Sequence, residues 1–132
     1  MADNQQDRRE SARFPIEIPV KYSHTNTFFY DYINNISLGG TFIKTSSFLP
    51  IGTRFRFIIG LPEIDTDIVL NAEVVWIREK EEVSGKNIAP QGMGIKFIFE
   101  SEEEQKRFSE KIEKLMRKQL GDKLTDKLLR KR

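Results

Sequence analysis

Two short stretches of the sequence carry side chains that recognise phosphates and the polar edges of bases. The first holds three arginines, Arg8, Arg9 and Arg13, and a guanidinium can bind either group with two parallel hydrogen bonds. The second stretch, residues 35–40, has the sequence Asn-Ile-Ser-Leu-Gly-Gly. It offers an amide, a hydroxyl and a backbone that glycine leaves open to close approach. Taken alone, the first stretch is typical of a solvated charge run and the second of a tight turn.

Catalytic chemistry has little support in the sequence. The chain has no cysteine and one histidine, His24, which lies in a polar segment without a carboxylate placed to orient it as a base. One histidine without cysteine is a poor basis for a metal site. The acidic residues Glu63, Asp65 and Asp67 are predicted to form a polar turn. We therefore expect a binding protein, not an enzyme, that uses neither a metal nor a cofactor.

The composition limits the size, the partners and the location of the protein. A chain of 132 residues, 38% hydrophobic and 32% charged, is long enough for one domain with a real core. Residues 1–100 contain 11 Lys or Arg against 13 Asp or Glu, and residues 101–132 contain 11 against 7. Nucleic acid is not expected as a partner, because the body of the protein is acidic. The sequence also lacks a signal peptide and a membrane span, which predicts a cytoplasmic protein.

The elements that must position the candidate residues are mostly strands. Alternating apolar and polar side chains and turn residues delimit five predicted strands: 14–22, 41–45, 54–59, 68–77 and 93–99. The aromatic stretch 28–33 is counted as a sixth. Pro15 and Pro19 fall on the outward side of the first strand, which predicts an edge position for it. Several short strands without intervening helices indicate an antiparallel sheet that closes on itself. The predicted fold is all-β, a six-stranded antiparallel β-barrel with a C-terminal helix.

The helix is predicted to begin at Ser101, where the sequence Ser-Glu-Glu-Glu matches a capping box. An apolar stripe follows at helical spacing, and Gly121 is well placed to end the helix. Residues 121–132 form a basic amphipathic tail. One alternative is that the tail continues to cover the barrel with its charges solvated, and we favour it. The other is an interaction or oligomerisation helix for an acidic partner or a lipid surface.

The two candidate stretches, in this order and separation, resemble the PilZ domain, the bacterial receptor module for cyclic di-GMP. Arg9 and Arg13 match the family's R-x-x-x-R motif, and Asn35, Ser37 and Gly40 match its [D/N]-x-S-x-x-G motif. The segment Gly-Met-Gly-Ile-Lys-Phe at residues 92–97 is similar to the family's last strand. The resemblance covers about residues 8–118. It implies a six-stranded barrel followed by a helix, in agreement with the periodicity.

The resemblance also implies roles for the candidate residues. Its ligand-binding set in this sequence consists of Arg8, Arg9, Arg13, Asn35, Ser37, Gly39 and Gly40. The arginines would contact guanines and phosphates, and a basic residue at position 8 is compatible with binding a stacked pair of ligands. Asn35 and Ser37 would meet a base edge or a phosphate, and Gly40 would let the backbone approach. Trp76, late in the fifth predicted strand, and Arg78, just after it, are candidates to lie near this pocket, but Trp76 falls on the apolar side and is predicted to pack in the core.

A mechanism and several alternatives follow from the resemblance. Residues 1–8 are predicted to be a mobile arm, residues 9–120 the barrel and its helix, and cyclic di-GMP would order the arm and create a surface for an effector protein. Motility or surface behaviour is the family's usual association. A ligand-blind adaptor that works through protein contacts is the main alternative. The identity of the effector and homo-oligomer formation stay open.

Overall fold

The computed structural model describes residues 14–130 of the chain. In chain order the elements are β1 (Glu17–Lys21), α1 (Thr25–Asn34), a 3-10 turn (Ile36–Leu38), β2 (Gly40–Lys44), β3 (Arg54–Leu61), β4 (Ile64–Arg78), β5 (Glu82–Ser84), β6 (Asn87–Ala89), β7 (Gly92–Ile98), α2 (Glu102–Leu120) and α3 (Asp122–Arg130). The protein is thus mostly β-sheet with helices at its C-terminal end. The predicted mobile arm, residues 1–8, lies outside the described residues.

Five of the strands form one sheet in the order β1-β3-β4-β7-β2, and β5 and β6 form a separate hairpin. β1 pairs parallel to β3, whereas the other neighbours in the sheet are antiparallel. The connection from β1 to β3 contains α1 and β2, which is long enough for the chain to return in the same direction. Within residues 14–130, β1 and β2 are the two edges and do not pair with each other. The predicted closed barrel of six antiparallel strands is therefore not confirmed, although β1 does lie at an edge as its prolines predict.

The segment 28–33, predicted as a strand, is part of helix α1. That prediction is wrong because it followed the strand preference of aromatic residues. The buried residues of the helix are Thr25, Phe28, Phe29 and Tyr32. Their spacing of three, four and seven residues places them on one side of a helix, and this side packs into the core. One of the six predicted barrel strands is thereby lost to a helix.

The core lies between one face of the sheet and the helices α1 and α2. Strands β3, β4 and β7 supply most of its buried side chains: Phe55, Phe57, Ile59, Ile68, Leu70, Ala72, Val74, Met93, Ile95 and Phe97. Helix α2 adds Ile112 and Met116, which are fully buried. The rings of Tyr32 and Phe108 meet edge to face at 6.3 Å and join α1 to α2. The opposite face of the sheet is left to solvent over most of its area.

The C-terminal helices follow the predicted signals closely. The backbone N–H of Glu104 donates to the hydroxyl of Ser101 at 3.0 Å, which confirms the predicted N-cap. The Glu104 carboxylate accepts from the N–H of residue 100 at 2.6 Å, one residue earlier than in a standard capping box. The chain turns at Gly121, and α3 then packs Leu128 and Leu129 against the core. None of the helices described here has the length and apolar character to span a membrane.

Candidate functional site

The predicted motif in residues 35–40 forms a tight turn between α1 and β2, which we call the motif turn. The N–H of Asn35 donates to the carbonyl of Asp31 at 2.8 Å and ends the helix. Gly39 has φ of 111°, a value that side chains with a Cβ rarely adopt. Gly40 begins β2 so close to β7 that a Cβ would overlap the carbonyl oxygen of Ile95. Both glycines are thus required by the path of the backbone.

The polar side chains of the motif turn donate hydrogen bonds to residues of α1. The Asn35 amide donates to Asp31 Oδ1 at 2.6 Å, and the Ser37 hydroxyl donates to the carbonyl of Ile33 at 3.1 Å. Asp31 also accepts from the hydroxyl of Tyr22 at 2.6 Å. Burial raises the pKa of Tyr22, and the hydrogen bond to Asp31 raises it further, so Tyr22 remains a donor over the physiological range. A carboxylate that sequence reasoning did not single out is therefore the centre of this network.

A groove of about 550 Å³ opens beside the motif turn. Its lining comes from α1, the turn and three strands: Asp31, Asn34, Asn35, Leu38, Gly40, Thr41, Phe42, Trp76 and Ile95. Leu38 stands on its rim with 76% of its surface exposed. Asp31 is the only charged residue in this lining, and the described part of the chain contributes no cation to it. The groove therefore combines polar edges with an apolar wall, and its one charge is negative.

The apolar wall of the groove consists of Phe42 and Trp76, the aromatic pair. Their ring centroids lie 5.3 Å apart and the rings are inclined by 26°, which is a stacked arrangement. Phe42 on β2 and Trp76 on β4 both lie opposite Gly94 on β7. A Cβ at Gly94 would overlap the indole ring of Trp76. The missing side chain at position 94 is thus what allows two rings from different strands to meet over the sheet.

Trp76 is 42% exposed, so the prediction that it packs in the core is wrong. The register between β4 and β7 shifts between Val74 and Trp76. A β-bulge of this kind adds one residue to one strand and reverses which side the following side chains face. Val74 lies opposite the buried Ile95, whereas Trp76 lies opposite Gly94 on the outer face. Strict alternation through residue 76 could not reveal this reversal.

Arg78 follows the aromatic pair on the same face. Its guanidinium carbon lies 5.0 Å from the ring centroid of Trp76 and 5.3 Å from that of Phe42. These distances are within the range of cation–π contact. Arg78 Nη1 also donates to the carbonyl of Pro90 at 2.9 Å. The guanidinium thus contacts both rings of the aromatic pair, although Arg78 is not part of the groove lining.

Four of the predicted candidates, Asn35, Ser37, Gly39 and Gly40, lie together in the motif turn, but only Asn35 and Gly40 line the groove. The other three, Arg8, Arg9 and Arg13, lie outside the described residues. Sequence reasoning missed Asp31 and Phe42. A signal for Phe42 existed: it lies two residues after Gly40, and the glycines at 92 and 94 in β7 make room for large neighbours on that face. No comparable signal marks Asp31, because its role depends on how α1 packs.

The other polar clusters offer less chemistry. His24 is exposed and directly precedes α1, where it lines a small polar pocket of about 260 Å³. The prediction of a polar turn over residues 63–67 is wrong in extent, because the turn is limited to residues 62 and 63 and Asp65 and Asp67 belong to β4. Within the described residues no group of three or more His, Cys, Asp or Glu side chains could hold a metal ion.

Comparison with known proteins adds one finding on the family. Residues 7–116 match the family model of the PilZ domain, and this range includes both predicted motifs, the groove and the aromatic pair. A search of curated proteins returned no match. The matched range ends within α2, before Gly121 and α3.

Proposed function

Because the chain belongs to the PilZ domain family, we propose that it is a receptor that binds cyclic di-GMP in the groove beside the motif turn. The ligand has two guanines and two phosphates within one compact dianion. Aromatic side chains stack on bases, and polar edges select among them. The observation that carries the proposal is the position of the aromatic pair, with Trp76 exposed and Phe42 half-buried, directly beside the motif turn, with both family motifs complete in the sequence.

A guanine would stack on the aromatic pair and present its polar edge to the motif turn. The Watson–Crick edge of guanine carries N–H donors, and the Asp31 carboxylate is an acceptor in the groove lining. Asn35 stands at the motif position where the family accepts Asp or Asn. We assign the carboxylate role to Asp31 and the amide role to Asn35, which is already oriented by its bond to Asp31. Gly39 and Gly40 leave the backbone of the turn accessible to the ligand.

The phosphates would be bound by Arg9 and Arg13, with Arg8 beside them. The described lining of the groove holds a carboxylate and no cation, so the charge of a dianion must be balanced from another part of the chain. The three arginines of residues 8–13 supply that charge. A guanidinium binds phosphate or guanine with paired hydrogen bonds that contribute about 1.5–3 kcal/mol each when charged. Binding would draw this segment onto the groove.

We propose that this ordering of residues 5–13 is the output signal, which an effector protein recognises in the cytoplasm. The ligand would shift the population of the segment toward the bound arrangement and create a composite surface. The protein would act as a binding module without catalysis, in keeping with the family. Control of motility or surface behaviour is the output we propose for it.

Isothermal titration calorimetry with cyclic di-GMP tests the proposal at about 0.15 M salt, where the Debye length is near 8 Å. We expect saturable binding to the wild type and at least about a tenfold loss of affinity in Arg9→Ala. Arg107→Ala is the matched control, because Arg107 is exposed on α2 and its ion pair within residues 14–130 is the one with Glu103 at 3.9 Å. The fitted stoichiometry distinguishes one ligand from a stacked pair.

Absence of heat and of thermal stabilisation in the wild type would reject the receptor function and support the ligand-blind adaptor. Equal affinities of Arg9→Ala and the wild type would reject only the proposed role of the arginine motif. The receptor function would not be rejected by that result. The ordering step has its own test. If hydrogen exchange of residues 5–13 were the same with and without saturating ligand, the ordering of this segment would be rejected as the output signal. Ligand binding itself would not be rejected.

A further inference from the structure

Arg78 connects the aromatic pair to the β5–β6 hairpin, which does not line the groove. On one side its guanidinium lies against the rings of Phe42 and Trp76. On the other side it donates to the carbonyl of Pro90 at 2.9 Å and lies 3.8 Å from the carboxylate of Glu82. Glu82 is the first residue of β5, and Pro90 directly follows β6. One side chain therefore contacts both elements.

The β5–β6 hairpin has few other constraints. Every side chain from residue 79 to residue 88 is exposed, so the hairpin has almost no contact with the core. Its base is closed by two hydrogen bonds from side chains to the backbone. One is the bond from Arg78 to Pro90, and the other runs from Gln91 Nε2 to the carbonyl of Glu79 at 2.8 Å. The β4–β7 ladder ends at the pair of Arg78 and Gly92, and beyond it these two bonds contribute to the orientation of the hairpin.

We propose that Arg78 is a positioning residue that holds the aromatic pair in place for the ligand and transmits changes in the pair to the β5–β6 hairpin through Pro90. The transmission rests on the proposed function, whereas the positioning holds in the ligand-free protein. A base that stacks on Trp76 would change the tilt of the ring, and the guanidinium in contact with the ring would follow. The bond from Arg78 to Pro90 then lengthens or turns, and the hairpin responds.

The chemistry requires arginine at this position. A guanidinium is planar, so it lies on an aromatic face and donates hydrogen bonds from its edge at the same time. A lysine ammonium is compact and strongly hydrated, and it cannot satisfy both contacts in this geometry. Arg78→Lys is therefore expected to behave like Arg78→Gln, although it keeps the charge.

Trp76 is the only tryptophan in the chain, so tryptophan fluorescence reports on the aromatic pair alone. In the ligand-free protein, Arg78→Gln and Arg78→Lys should shift the emission maximum and increase acrylamide quenching, because the ring loses its cover. Hydrogen exchange of residues 82–89 should accelerate by roughly threefold to tenfold, the effect of one lost hydrogen bond. The melting temperature, measured in parallel, should change little because Arg78 lies outside the core.

Gln91→Ala is the matched control, because it breaks the other bond at the base of the hairpin and leaves the aromatic pair untouched. It should accelerate exchange of the hairpin without altering the emission of Trp76. With cyclic di-GMP at saturation, the wild type should show altered exchange of residues 82–89, and Arg78→Gln should not. The Kd of Arg78→Gln should rise about tenfold.

The inference is overturned if Arg78→Gln leaves the emission of Trp76 and the exchange of the hairpin unchanged in the ligand-free protein. It is also overturned if Arg78→Lys restores both signals, because charge alone would then suffice. These two comparisons need no ligand, so a protein that fails to bind cyclic di-GMP would reject the proposed function and leave the role of Arg78 to be decided separately.

Discussion

The two halves of strand β4 have opposite relations to the core. From Ile68 to Val74 every second side chain is buried, and these residues pack against β3, β7 and the helices. After Val75 the pattern reverses, and Trp76 stands on the outer face with 42% of its surface exposed. Two things change between the halves: the register with β7 shifts at a bulge, and the pairing with β3 ends at Glu73. A single strand thus supports the core along one part and exposes an aromatic side chain beside a groove along the next.

The difference has an energetic basis. Burial of an aliphatic side chain contributes about 1.5–3 kcal/mol, so the first half of β4 is constrained by packing. The second half makes a smaller contribution to the core and can keep an exposed ring beside a groove. An exposed aromatic surface of this kind is typical of a binding site. Substitutions in the two halves should therefore affect different measurements.

The largest effect is expected for Leu70→Ala, in the buried half. Leu70 is 4% exposed and lies opposite Phe57, so truncation leaves a cavity and should lower the free energy of unfolding by about 2–5 kcal/mol. Chemical denaturation measures the change, and Trp76 emission of the folded fraction should stay as in the wild type. The neighbouring Val69→Ala, at a side chain 42% exposed, should change stability by only about 0.5 kcal/mol. Similar losses of unfolding free energy in Leu70→Ala and Val69→Ala would contradict the assignment of Leu70 to the buried face of β4 and of Val69 to its exposed face.

A smaller effect on stability and a clear effect on binding are expected for Gly94→Ala, beneath the aromatic pair. The added Cβ forces Trp76 to move, so its emission should shift and cyclic di-GMP binding should weaken about tenfold, roughly 1.4 kcal/mol. Gly60→Ala is the matched control, because a Cβ there meets only Lys21 at 3.5 Å and Asp67 at 3.7 Å. Titration calorimetry with fluorescence provides both readouts. Wild-type binding by Gly94→Ala would show that the aromatic pair is not the ligand platform.

The smallest effect is expected for Asp126→Asn, which belongs to neither half of β4. Arg117 holds the Asp126 carboxylate at 2.7 Å across the junction of α2 and α3, and its hydrogen bond lowers the pKa of Asp126. A lowered folded-state pKa adds stability that is present above the ordinary carboxylate pKa and is lost as the pH falls through the lowered value. The free energy of unfolding of the wild type should thus be slightly larger than that of Asp126→Asn at pH 7. The difference should disappear as the pH falls through the lowered pKa. Added salt should also reduce the difference, because both side chains are exposed.

Local sequence signals predicted much of the fold and part of the site. Alternation located β1, β3, β4 and β7, and the residues after Phe99 marked the start of α2 at its observed cap. The motif turn was found because its glycines and polar residues have narrow structural uses. Helix α1 was missed, although the spacing of Phe28, Phe29 and Tyr32 contains the helical period. Aromatic composition outweighed spacing in that prediction, and the buried side of the helix shows that spacing was the better guide.

The sequence by itself determined the features that depend on neighbouring residues: the strand periodicity, the helix cap, the motif turn and its family. Tertiary structure alone decided which distant residues meet. Phe42 and Trp76 stack because β2 and β4 both pair with β7, and Gly94 leaves room between them. The bulge that turns Trp76 outward and the parallel pairing of β1 also depend on register between strands. Register is set by the packing of the whole sheet on its core. The periodicity within one segment carries no information about that packing.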